Sequence, residues 1–354
     1  MVKLWTCPAI DHGVTIFPNG KIGPCCQVPF DYLKPISEIT NPDRFADLKT
    51  QVPPSACSMC VNNERLGIPS YKKSFDRQVT SAPGFQFVDL RNTNICNLKC
   101  RFCGPHYSDK WGPRLQTDIA EYSDLLFTDS LHWLYFTGGE PLINPDYWNL
   151  LERLIDQGRA SNISLLYNTN LTTLKYKDKN LVDIWAKFTS VTINCSLEAT
   201  GKPLEYIRSG SDWDKIYKNL IELQKQKHVS IKLSSTLGVL NLWFIGDLFK
   251  TASTLNIPVN ITILTGPSYL ALDVLPNELR PQALQQLEQL KSYMTESIYA
   301  KAYDMIADGK NQWLFPRTLN QILILDNLNG EHLFDLLPFK QYAERMVKEN
   351  FEYE

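Results

Sequence analysis

The chain has 354 residues, 44% hydrophobic and 21% charged, so it can bury a large core and is too apolar to remain disordered. A formal net charge of -2 excludes a globally electrostatic grip on nucleic acid, while a local basic groove is not excluded. No apolar run approaches the roughly 20 residues of a membrane helix, the first residues lack a signal-peptide segment, and nine cysteines in metal-like spacings suit a reducing compartment. We therefore expect a cytoplasmic protein with no membrane partner.

Cys7, Cys25, Cys26, Cys57 and Cys60 all precede residue 61. Between Cys7 and Cys25 lies Pro18-Asn19-Gly20-Lys21, flanked by β-rich runs at 14–17 and 21–22. Asn-Gly between two such runs is a preferred two-residue hairpin turn. A hairpin carries Cys7 and Cys25 toward one another, and Cys57-Ser58-Met59-Cys60 then closes a four-thiolate site. Two cysteine pairs hold zinc as readily as iron and sulfide, so the metal stays open on this reading. Cys26 is either a buried neighbour or a substitute for Cys25.

The next feature is Cys96-Asn97-Leu98-Lys99-Cys100-Arg101-Phe102-Cys103, with three thiols where a closed cluster site takes four. An open metal position separates a centre that acts on a ligand from one that only holds a fold. From residue 85, β-rich runs at 85–91, 132–137, 162–168, 190–197, 230–237 and 260–264 alternate with helical patterns, among them 147–157, 181–188, 213–226 and 242–254. That alternation predicts an α/β fold with a parallel sheet. In the 213–226 helix Trp213, Ile216, Tyr217 and Leu220 share a face, behind Asp212 as a capping residue.

Strand parity sets Thr192, Asn194, Ser196 and Glu198 against Val191, Ile193, Cys195 and Leu197. It likewise sets Lys232, Ser234 and Thr236 against Ile231, Leu233 and Leu237. A hollow, polar barrel interior follows, with Cys195 in the apolar core. Thr137-Gly138-Gly139-Glu140-Pro141 ends the second run, where glycines permit close approach to a ligand. Beyond about residue 277 helical patterns return, and an apolar stripe at Leu319, Ile322, Leu323 and Leu325 predicts packing across the barrel opening. His106 reads as a solvent-facing loop residue, and His12, His132, His228 and His332 fall in no metal spacing.

The triplet Cys-x3-Cys-x2-Cys, with Phe102 before its last cysteine, resembles the signature of the radical S-adenosylmethionine (SAM) enzymes. Gly138-Gly139-Glu140-Pro141 resembles the motif with which that family receives the amino group of SAM. The spacing Cys7-x12-Gly20-x4-Cys25 resembles the opening of the SPASM and twitch auxiliary domains, and the single-cluster twitch form is the nearer comparison. In the family this unit follows the barrel, whereas here it comes first.

The resemblance implies a twitch-like unit over 1–80, a partial (β/α)6 TIM-like barrel over 81–275 and a helical C-terminal extension over 276–354. It implies two 4Fe-4S clusters, one on Cys96, Cys100 and Cys103 completed by SAM, the other on Cys7, Cys25, Cys57 and Cys60. It implies a SAM pocket of Phe102, Gly138, Gly139, Glu140, Pro141, Asn168, Ser196, Glu198 and Arg208, with Arg208 facing the SAM carboxylate and Asn170 beside Asn168.

By the same resemblance a reducing partner such as flavodoxin or ferredoxin supplies an electron that splits SAM into methionine and a 5′-deoxyadenosyl radical. That radical takes hydrogen from an unactivated carbon in a closed, dry pocket. A full-thiolate auxiliary cluster suits an oxidative outcome, either dehydrogenation or cross-linking. The expected substrate is a peptide or protein side chain, with a small molecule (a sugar or nucleotide derivative) or an RNA base as alternatives. A reading of another class is a non-catalytic zinc or iron–sulfur protein whose barrel is a binding module. No side chain is singled out as general acid or base.

Overall fold

Asn19-Gly20 turns the chain as its residue types require: Gly20 takes a φ of 72°, and Gly13–Ile16 (β1) pairs antiparallel with Lys21–Gly23 (β2). Strand β2 pairs in turn with Lys34–Pro35 (β3). The computed structural model describes residues 5–41, 43–80, 82–122 and 126–330, together with 337, 340, 342, 344 and 345. His332 and the acidic end at 349–354 lie outside the described residues.

The later strands are Phe87–Leu90 (β4), Lys99–Cys100 (β5), Trp133–Phe136 (β6), Ser164–Thr169 (β7), Lys175–Tyr176 (β8), Lys179–Asn180 (β9), Ser190–Ser196 (β10), Arg208–Ser209 (β11), Val229–Leu237 (β12) and Val259–Ile263 (β13). Strands β4, β6, β7, β10, β12 and β13 fall on the six runs expected from sequence. Helices Pro145–Asp156, Leu181–Trp185, Trp213–Gln224 and Ile245–Thr254 stand between them. The core is a mixed sheet of the partial-barrel type, flanked by helical extensions.

The chain divides into two units. The first comprises Met1–Asn97, Cys103–Asn194 and Lys218–Ile231; the second comprises Leu98–Phe102, Cys195–Tyr217 and Lys232–Glu354.

In the first unit the sheet order is β10-β7-β6-β4-β1-β2-β3. Strands β4, β6 and β7 are mutually parallel, as the barrel pattern demands. The hairpin then adds to the same sheet: β1 runs parallel to β4 with Val14 opposite Val88 and Thr15 opposite Asp89. Sequence pattern did not foretell this pairing. One face carries Ile16, Val88, Leu90, Leu134 and Phe136, all fully buried. Helix Pro145–Asp156 packs there, with the Tyr147 ring 4.8 Å from that of Phe136 and the Tyr147 hydroxyl donating to Leu90 O.

In the second unit β12 pairs parallel with β13, and Leu197 N–H donates to Ser234 O. The parity expectation holds in both long strands. Val191, Ile193 and Cys195 are buried while Thr192, Asn194 and Ser196 are half-buried, and Leu233 and Leu237 are buried against exposed Lys232. Helices Arg280–Leu290, Glu296–Asp308 and Phe315–Asn329 follow, the last burying Leu319, Ile322 and Leu325. Asp212 accepts from Lys215 N–H at the start of Trp213–Gln224, the cap its position predicted.

Candidate active site

The two sequence motifs meet through backbone in the first unit. Gly139 N–H donates to Thr93 O at 3.0 Å and Glu140 N–H to Ile95 O at 2.8 Å, so the Gly-Gly-Glu turn is stitched to the segment that leads into Cys96. A Cβ on Gly139 would lie 1.9 Å from Ile95 O, and one on Gly138, whose φ is 102°, would lie 2.4 Å from Thr93 O. These glycines therefore permit a close approach of protein backbone, a use that motif reading alone did not identify.

The cysteine loop has further scaffolding. Buried Asn94 donates to Pro105 O and Pro113 O and accepts from Leu115 N–H, while the Asp109 carboxylate accepts from Cys96 N–H at 3.1 Å. His106 is exposed, its ring 5.9 Å from that of Phe30, as a loop histidine should be.

Glu140 is only 2% exposed. Its carboxylate accepts from Thr169 Oγ1 at 2.6 Å, Asn170 N–H at 2.7 Å and Leu142 N–H at 3.0 Å. It thus ties the end of β7 to the turn after β6, and Pro141 is buried behind it. Asn170 in turn donates to the Asn97 side chain at 2.9 Å, and Asn97 donates to Thr172 Oγ1 at 2.7 Å, so the residue after Cys96 is held as well. Asn168 accepts from Asn194 at 3.0 Å on the polar parity of β7 and β10.

In the second unit β11 pairs antiparallel with β5, setting Arg208 opposite Cys100. The buried Arg208 guanidinium grips the Glu198 carboxylate with two bonds, Nε to Oε2 at 2.5 Å and Nη2 to Oε1 at 2.8 Å. Its Nη1 lies 3.7 Å from Cys100 Sγ, and its charged carbon stands 5.3 Å from the Phe102 ring centroid. Cys100, Phe102, Glu198 and Arg208 are thus one constellation, built on a planar fork that lysine does not offer.

A cavity of about 10 Å³ lies beside it, lined by Phe102, Glu198, Ile207, Thr236, Gly238 and Asn241 among others. Asn241 was missed from sequence. It accepts from Gly238 N–H and donates to Glu198 O at 3.2 Å, and its only sequence signal was a polar residue just past a strand end.

A second omission lies in the C-terminal extension. Asp326, 4% exposed, is paired with Arg101 at 2.9 Å and accepts from the Tyr206 hydroxyl. Arg101 also donates to Tyr206 O and stacks its guanidinium 3.5 Å from the Tyr206 ring centroid. The residue after Cys100 is thereby anchored to helix Phe315–Asn329.

In the first unit Cys7, Cys25, Cys57 and Cys60 line one small recess of about 20 Å³, with Trp5, Met59 and Tyr71. Burial pushes the Cys7 thiol up to about 12 and the Cys57 thiol up to about 11, with the neighbouring thiols adding to both. Cys25 is raised by burial and by Cys26, Cys7 and Cys60. Cys26 faces elsewhere: besides burial, its thiol senses Arg91, Asp89 and Tyr71. No cysteine is in a disulfide. Among the described residues no three His, Cys, Asp or Glu side chains close on a single ion.

The donor chemistry fits what the sequence implied. Four thiols on one recess match a thiolate-held cluster, and the Gly-Gly turn seated on the approach to Cys96 matches the paired motifs. Residues 92–241 match the model of the radical SAM superfamily. The 7-carboxy-7-deazaguanine synthase of Thermoplasma acidophilum is 26% identical over 95 residues, covering 27% of this chain and 44% of that protein. The mycofactocin maturase MftC of Mycobacterium tuberculosis is 25% identical over 198 residues, covering 55% and 48%. The matched part therefore spans less than half of either relative. Streptococcus suis SuiB, solved with its precursor peptide SuiA, superposes with a TM-score of 0.43 at 17% identity over 70% of this chain and 60% of that one. It is over residues 92–241 that this chain is similar to the radical SAM superfamily.

Proposed function

We propose that the chain is a radical SAM enzyme that removes a hydrogen atom from a side chain of a peptide or protein and leaves it oxidised. The observation that carries this reading is the seating of the Gly-Gly-Glu turn on Thr93 and Ile95, which binds the two motifs into one structural element. When bound, the cluster and SAM supply a 5′-deoxyadenosyl radical.

The chain's own part is to hold and to exclude. Cys96, Cys100 and Cys103 hold the SAM-binding cluster, and Arg208, its Nε and Nη2 held by Glu198, is the residue assigned to the SAM carboxylate. Gly138, Gly139, Glu140 and Pro141 shape the side that takes the amino group. Phe102 and Ser196 in the second unit and Asn168 in the first are the further residues assigned to SAM.

Cys7, Cys25, Cys57 and Cys60 hold an auxiliary cluster in a twitch-like unit over 1–80, ahead of the barrel at 81–275 and the extension at 276–354. Flavodoxin or ferredoxin is the proposed reductant.

The test is anaerobic reconstitution with iron and sulfide, then reduction with SAM. Formation of 5′-deoxyadenosine is expected, and Cys100→Ala should abolish it. A wild type that yields none while zinc fills both cysteine sets would instead establish a non-catalytic metal protein.

A further inference from the structure

One polar cluster in the first unit has no part in the site above. Thr15, Asp89 and Tyr135 stand side by side across β1, β4 and β6, on the sheet face opposite the helix-packed core. Arg91 follows Asp89 on that face and pairs with it through Nε at 3.2 Å and Nη2 at 2.7 Å. Thr137 and Thr15 complete the Asp89 shell at 3.3 and 3.5 Å, so this carboxylate, 2% exposed, serves to hold the arginine.

Two donors are left over. Among the described residues Arg91 Nη1 has no hydrogen-bond partner, and neither has the Tyr135 hydroxyl, although Tyr135 is only 6% exposed. Neither atom is among the fully enclosed polar atoms that lack a partner, so both stay open to solvent and to a small ligand. Burial also raises the Tyr135 hydroxyl well above its ordinary value, so it stays a neutral donor. Cys26 and Tyr71 border the same cluster, their side chains within hydrogen-bonding reach of one another, and Tyr71 lines the four-cysteine recess.

We propose that Arg91 and Tyr135 form a subsite for a carboxylate of the substrate, an acidic side chain in a peptide, with Asp89 fixing the arginine. Calling the ligand a substrate rests on the function proposed above; the binding itself does not. A guanidinium edge beside a phenol matches a planar, singly charged carboxylate. A phosphate dianion fits less well, since Asp89 already balances the one positive charge present.

The probes are N-acetyl-Ala-Glu-Ala amide, its Gln counterpart and phenyl phosphate, titrated into the full chain by saturation-transfer NMR. The Glu peptide should bind about tenfold tighter than the Gln peptide, the scale of one charge-assisted hydrogen bond. Arg91→Gln should erase that preference and Tyr135→Phe should narrow it. Because Arg91→Gln strands a buried carboxylate, the double variant Asp89→Asn/Arg91→Gln repeats the test without it.

Equal binding of the two peptides to the wild type would overturn the subsite, as would an undiminished preference in the arginine variants. Tighter binding of phenyl phosphate would overturn the carboxylate assignment. Assaying 5′-deoxyadenosine in the same preparation keeps the two readings apart. Product without Glu preference sinks only the subsite, and Glu preference without product sinks only the radical reading.

Discussion

At the scale of single residues, the glycines and the buried ion pairs make the sharpest demands. Gly139→Ala places a methyl group against the Ile95 carbonyl, which is backbone and cannot swing aside. The approach to Cys96 must move, so iron bound at the triplet should fall together with 5′-deoxyadenosine formation, read by iron analysis and product assay.

Arg208→Ala leaves Glu198 buried and charged with its fork removed; a loss of about 3–5 kcal/mol is expected from urea unfolding, against a smaller loss for the uncharged pair Glu198→Gln/Arg208→Met. The raised thiols of the N-terminal recess give a pH signature. A folded chain that keeps protons its unfolded form releases is fully stabilised below the ordinary thiol value of 9.0 and loses that stability as pH climbs toward about 12. Thermal melting of the metal-free chain should therefore decline through that window, and Cys7→Ala should flatten the decline.

The cysteines, the Gly-Gly-Glu turn and Arg208 were legible because each is a residue type at a telling spacing. Asp89, Arg91 and Tyr135 were not, since their chemistry arises from neighbours on adjacent strands that are far apart in the chain.

At the scale of elements, alternation of apolar and polar residues gave six strands and four helices close to their observed bounds, because burial on one face leaves that imprint directly. The contribution of helix Phe315–Asn329 was hidden. Its apolar stripe predicted packing, which Leu319, Ile322 and Leu325 perform, but an aspartate within a helix carries no mark that it will meet an arginine in a distant loop. Asp326→Ala should strand the buried Arg101 guanidinium and cost about 3–5 kcal/mol in chemical denaturation. Cluster loading should weaken with it, since Arg101 adjoins Cys100. Replacing both partners by apolar residues of similar size should recover most of the stability and not the loading.

At the scale of the whole molecule, the metal inventory decides the reading of the N-terminal cysteines. Replacing Cys57 and Cys60 with Ala should remove about half of the iron per chain, as expected for one of two clusters. Unchanged iron with lost zinc would identify a zinc site.

The same N-terminal segment does a second job. A partial barrel leaves an outer strand, and here β4 is covered by β1, after which the sheet runs out in the two residues of β3, a lysine and a proline that discourage further pairing. Deleting residues 1–80 should therefore uncover Phe87–Leu90, all four of them buried, and yield a chain that scatters light as it associates. Because β1 precedes β4, the ribosome releases the guarding strand before the guarded one is translated. A nascent chain can thus pair the two as they emerge, and crowded polysomes need never meet that surface bare.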